Sequence, residues 1–132
     1  MIKNAPMNPS SHFSGVRQVA ITVSDVAVAK RFYQGVLGLK FLFDAGPNLA
    51  FLECGSLRVM LSTGQGAGAA GKNSVLYFQT TGVEAVYESV VADGAQAERA
   101  PQLTAKMPDH ELWIGFVRDP DGNLVGLLEE KR

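Results

Sequence analysis

The chain has 132 residues, 46% of them hydrophobic and 19% charged, with 12 basic and 13 acidic side chains and a formal net charge of −1. That length and balance describe one globular domain large enough to bury a core without staples, and they argue against nucleic acid as a partner. Cys54 is the single cysteine, so no intrachain disulfide forms, and no apolar run reaches membrane-spanning length; a cytoplasmic protein with no membrane partner is expected.

Residues 1–15 are polar, carry Pro6 and Pro9, and are expected to be a mobile tail in which His12 is solvated. From Val16 to Val23 the apolar residues Val19, Ile21 and Val23 alternate with Gln18, Ala20 and Thr22, which predicts a strand with one greasy and one mixed face. Ser24 or Asp25 can cap a helix whose apolar stripe is Val26, Ala29, Phe32, Tyr33 and Val36, and Gly38 suits its end. Strands over Leu39–Asp44, Leu49–Cys54 and Leu57–Ser62 follow, with turns at Gly46–Pro47–Asn48 and Gly55–Ser56.

The stretch GAGAAGKN, Gly66 to Asn73, resembles a phosphate-binding loop, but Asn73 stands where the Mg²⁺-binding hydroxyl belongs. The segment after it, Val75–Thr80, is rich in β-formers and predicts a strand, not the helix that a phosphate loop requires. A flexible spacer is the better reading. Beyond it the order repeats. Thr81 can cap a helix with the stripe Val83, Val86, Tyr87 and Val90, closed by Gly94; strands are predicted near Ala95–Ala100, at Glu111–Val117 and at Asn123–Glu129. Asp119–Gly122, DPDG, lacks the spaced ligands of a calcium loop and reads as the tight turn between the last two strands.

The helix starts, Val26 and Val83, lie 57 residues apart, so the chain is an internal repeat. The fold class is α+β: two tandem βαβββ modules, residues 16–63 and 74–131, joined by a linker over 64–73 in a single domain of residues 16–131. One helix covers one face of each sheet. The uncovered faces, Gln18, Ala20, Thr22 and Val75, Tyr77, Gln79, are expected to curl around a cavity with the helices outside.

TVSDVAVAKRFYQGVLGL (22–39) and FVRDPDGNLVGLLE (116–129), together with the repeat, resemble the vicinal oxygen chelate superfamily of glyoxalase I, extradiol dioxygenases and bleomycin resistance proteins. The resemblance implies metal-ligand positions at Gln18, at Met60 (or Val59), at Val75 and at Gly126. Only Gln18 of these could bind a metal, so no metal and no cofactor are expected. The resemblance then implies a small-molecule binder of the bleomycin-resistance kind, and a homodimer.

Four side chains are candidates for the site. Gln18 can orient a ligand through an amide that both donates and accepts. Met60 and Trp113 offer adaptable and flat apolar surface, although for Trp113 ordinary core packing is the better reading. Phe43 and Phe51 stay ambiguous, because strand parity around the turns is open. His110 is the one histidine outside the tail and the candidate general acid or base, against a plain loop histidine between Asp109 and Glu111. The alternative function is an isomerase, lyase or oxygenase that uses His110, or a remodelled metal set of Gln18, His110 and a late Glu. Glu129, Glu130, Lys131 and Arg132 read as a solvated end from which one Glu could face the cavity.

Overall fold

The computed structural model describes residues 12–63 and 69–132. Most of the expected tail and the first half of the linker fall outside these residues. Eight strands form two four-stranded sheets. The first is built from β1 (Gln18–Thr22), β2 (Lys40–Asp44), β3 (Leu49–Cys54) and β4 (Leu57–Ser62); the second from β5 (Leu76–Gln79), β6 (Gln96–Lys106), β7 (Glu111–Arg118) and β8 (Leu124–Lys131). Their orders are β1-β4-β3-β2 and β5-β8-β7-β6, with β1 parallel to β4 and β5 parallel to β8. The second module therefore repeats the topology of the first, as the 57-residue period predicts.

Helix α1 (Val26–Lys30) starts where Asp25 accepts the Val28 N–H at 3.1 Å, and continues as a π-helical segment over Arg31–Val36. The wider turn lets adjacent Phe32 and Tyr33 both point inward, 5% and 1% exposed. Gly38, at φ 81°, closes the helix in a left-handed conformation that only glycine adopts cheaply.

Helix α2 (Val83–Ala92) starts differently from expectation. Gly82 at φ 75°, not Thr81, is the N-cap residue, and it has no side chain to give. The free Val83 N–H instead donates to Glu129 Oε1 at 3.0 Å, across from β8. Strand β6 is also longer than predicted. It runs through Pro101 because it is an edge strand, where a missing N–H costs no ladder bond, and its register slips between Arg99 and Gln102. Lys131 likewise belongs to β8 and not to a solvated end: its ammonium lies 4.4 Å from the Trp113 ring centroid and 2.6 Å from Glu84 Oε2.

The helix-side faces of both modules meet in one core. Ile21, Val23, Phe32 and Tyr33 from module one and Val83, Val90, Val117 and Leu127 from module two belong to the same buried cluster. The uncovered faces lie on the sides away from it. Polar struts tie the modules together. Tyr33 donates to Asp119 Oδ2 at 2.7 Å, and Asn123 Nδ2 donates to the same oxygen at 2.8 Å. Asn73 Oδ1 accepts the Thr22 N–H at 3.1 Å, while its amide donates to Thr22 O at 2.9 Å and to Asn123 Oδ1 at 3.1 Å. Asn73 thus satisfies the open edge of β1, and Ser24 binds Asp121 beside it. The DPDG turn, as predicted, joins β7 to β8, and it also clamps the two halves.

Candidate functional site

Strand pairing settles which side chains share the uncovered face of the first sheet. Arg58 lies beside Gln18, Met60 beside Ala20, Phe51 beside Met60 and Phe43 beside Phe51. The contacts agree. Gln18 Oε1 accepts from Arg58 Nε at 2.6 Å, and Gln18 Nε2 faces Met60 Sδ at 3.9 Å. Phe43 and Phe51 stack with centroids 4.8 Å apart, and the Arg58 guanidinium lies 5.7 Å from the Phe51 ring. Gln18 and Met60 are therefore brought together, and the parity of Phe43 and Phe51 is fixed on their side. Arg58 is the residue sequence reasoning missed; its two-residue spacing from Met60 was the available signal.

The corresponding face of the second sheet is aromatic. Tyr77 meets Phe116 edge to face at 5.8 Å, and Arg99 lies 4.8 Å above the Phe116 ring. Tyr77 pairs with Gly126, and its ring lies flat over that glycine: a Cβ at Gly126 would come within 2.5 Å of Tyr77 Cδ2. Arg58 and Arg99 enter no ion pair among the described residues.

Trp113 lies elsewhere. It pairs with Glu129, the residue that caps α2, and packs against the core from the helix side, its Nε1 donating to Glu111 Oε1 at 3.0 Å. His110 stands at the start of β7, in the second sheet, away from Gln18. Its side chain is 12% exposed, with Nδ1 2.7 Å from Asp109 Oδ1 and Nε2 3.8 Å from Glu130 Oε2. That bond holds the Asp109 carboxyl below the usual carboxylate range. His110 opens onto a shallow cleft of about 460 Å³ with Met107, Lys131 and Arg132. Glu129 is also held low, by the N–H groups of Val83 and then Gly82. It is thereby committed to the helix and not to a ligand.

A parallel–antiparallel βαβββ pair with open faces on both sheets is the frame of the glyoxalase-like proteins. The family model described as Glyoxalase/Bleomycin resistance protein/Dioxygenase superfamily matches residues 15–127, and the chain belongs to that superfamily. Three of the solved structures that share the fold illustrate the likeness. TnmS3, an antibiotic binding protein from Streptomyces sp. CB03234, is 22% identical at TM-score 0.72, over 90% of this chain and 98% of that one. Lactoylglutathione lyase from Agrobacterium tumefaciens is 21% identical at TM-score 0.70, over 88% and 93%. A superfamily member from Sphaerobacter thermophilus DSM 20745 is 23% identical at TM-score 0.73, over 90% and 99%. A comparison with curated proteins found no match.

The residues at the four positions that the resemblance implies for metal ligands, Gln18, Met60 (or Val59), Val75 and Gly126, do not fit a divalent ion. Gln18 is held by a guanidinium, Met60 is a thioether, Val75 has no donor, and Gly126 lies under the Tyr77 ring. Such an ion needs about three imidazole, carboxylate or thiolate donors. Gln18 and His110 lie on different sheets, and no three His, Cys, Asp or Glu side chains converge among the described residues.

Proposed function

We propose that the chain binds a small, partly apolar organic molecule, flat and aromatic by preference, without a metal ion. The reading rests on the residues at the positions that the resemblance implies for metal ligands, Gln18, Met60 (or Val59), Val75 and Gly126, the last of them covered by the Tyr77 ring. The rings and guanidiniums on the same faces favour stacking and cation–π contact over metal chelation. Gln18 supplies a donor and an acceptor to orient a carbonyl. The two uncovered faces lie away from the shared core, and Phe43 and Tyr77 on them are 49% and 50% exposed. A homodimer that sets the first-sheet face of one copy against the second-sheet face of the other would enclose the site. The antibiotic-binding relative supports the ligand class.

The test is calorimetric titration with a panel of aromatic acids and antibiotics in chelator-containing buffer. Binding is expected, weakened by about tenfold in Phe51→Ala. Binding that appears only after a divalent metal is added refutes the reading. A second reading, a general acid or base at His110, is favoured by the imidazole's burial and its orientation by Asp109. Turnover of any substrate that survives His110→Ala unchanged removes it.

A further inference from the structure

The two modules are not packed alike, and the difference opens a cavity. A shift of 57 residues lays Val83, Val86 and Val90 on Val26, Ala29 and Tyr33. Each helix is closed by a glycine, Gly38 at φ 81° and Gly94 at φ 116°, 56 residues apart, and each leads into an edge strand. In module one Tyr33 crosses to the end of β7 and bonds Asp119. Only a cleft of about 250 Å³ remains there, beside Phe32, Gly94, Gln96 and Arg118.

At the related place the side chain is Val90, and it faces the end of β3, where Cys54 and Gly55 stand in place of Arg118 and Asp119. Valine is too short to cross and has no hydroxyl to donate. The unfilled space is a cavity of about 370 Å³. That volume lies inside the range of about 300–1,000 Å³ typical of small-molecule sites. Its floor is apolar: Leu37, Leu39, Phe78, Val86, Val90 and Leu127. Its mouth carries Lys40, Glu53, Cys54, Gln79 and Thr80. Among the described residues neither Lys40 nor Glu53 enters an ion pair, so both keep their hydrogen-bonding capacity for a guest.

We infer that this inter-module cleft is a second small-molecule site, separate from the Gln18 and Tyr77 faces. It takes a compact apolar body that ends in an acidic group for Lys40, with a neighbouring N–H for Glu53. Its apolar floor belongs to the helix-side faces, whereas Lys40, Glu53 and Gln79 have the strand parity of the uncovered faces and join the site at the strand ends.

Cys54 provides the readout, since it is exposed and is the one cysteine in the chain. The probe is 1-anilinonaphthalene-8-sulfonate, which has fused rings, a sulfonate and an aniline N–H. The rate of Cys54 alkylation by iodoacetamide is followed by mass spectrometry with and without the dye. With dye at nine times its fluorescence-derived Kd, protection of about tenfold is expected by mass action. Val90→Phe, which fills the floor, should abolish protection. Lys40→Ala, at the exposed rim where folding is not at risk, should weaken it. Arg99→Ala, over Phe116 on the uncovered face of the second sheet, should leave it intact. An alkylation rate unchanged by dye overturns the inference, whether the dye fails to bind or binds elsewhere. So does protection that survives in folded Val90→Phe or in Lys40→Ala, or that disappears in Arg99→Ala.

Discussion

Replacing Tyr33 by Phe removes one oxygen from the join between the modules. Tyr33 is 1% exposed and Asp119 3%, so water cannot replace the lost donor without rearrangement. In the native chain Asp119 accepts four hydrogen bonds: from Tyr33 at 2.7 Å, Asn123 Nδ2 at 2.8 Å, Asn123 N at 2.8 Å and Asp121 N at 2.9 Å. Three survive the substitution, so the carboxylate stays hydrogen-bonded but less well solvated. A hydrogen bond to a charged acceptor is worth about 1.5–3 kcal/mol. With an unfolding entropy of about 2.1 cal/mol/K per residue, the melting temperature should fall by about 5–11 °C at pH 7, measured by calorimetry. The pH dependence carries a second signature. Burial, then the Asp119 charge, pushes the Tyr33 phenol above its ordinary value. A group raised on folding contributes fully below its unfolded value of about 10, and that contribution is lost as the pH climbs beyond it. The wild type should therefore lose stability above about pH 10 more steeply than Tyr33→Phe. A melting temperature within about 1 °C of wild type, with matching alkaline limbs, would refute the idea that this contact holds the modules together.

Other substitutions test neighbouring parts of the account. Asn73→Ala should cost about 1–3 kcal/mol in urea unfolding, because it strands the buried N–H and C=O of Thr22 at the edge of β1. Glu129 has its carboxyl lowered by the N–H groups of α2, so its contribution is present above the unfolded value of about 4.3 and is lost as the pH falls through the folded one. Glu129→Gln should thus be less stable than wild type at neutral pH, and the two should converge on acidification, followed by circular dichroism. Gly126→Ala should displace the Tyr77 ring and cost about 1–3 kcal/mol, a penalty that Tyr77→Ala should largely relieve in a double-mutant cycle.

The elements that could be read from the chain are those whose signal is local. Alternation at Val19, Ile21 and Val23 marks β1, the stripe from Val26 to Val36 marks the first helix, and the 57-residue period doubles the topology. What was hidden depends on partners far away in sequence. Nothing near Gly82 says that Glu129, 46 residues beyond Val83, caps α2. Pro101 reads as a strand breaker until β6 is known to be an edge. Asn73 looks like the failed end of a phosphate loop until Thr22 is placed beside it. The same limit divides the site. Gln18 was legible from strand alternation, whereas Met60 came through the resemblance, with Val59 as the alternative, until the register set it beside Ala20. The side on which Trp113 lies follows from its pairing with Glu129, and Arg58 emerged only when the register set it next to Gln18.

The central claim, that the ligand positions have been given over to organic contacts, is tested most directly by elemental analysis of tag-free protein purified without chelators. The account predicts no stoichiometric zinc, iron, manganese, nickel or cobalt. Retention of a transition metal at close to one ion per chain would contradict it and would turn attention to Asp109, His110 and Glu130 as the donors.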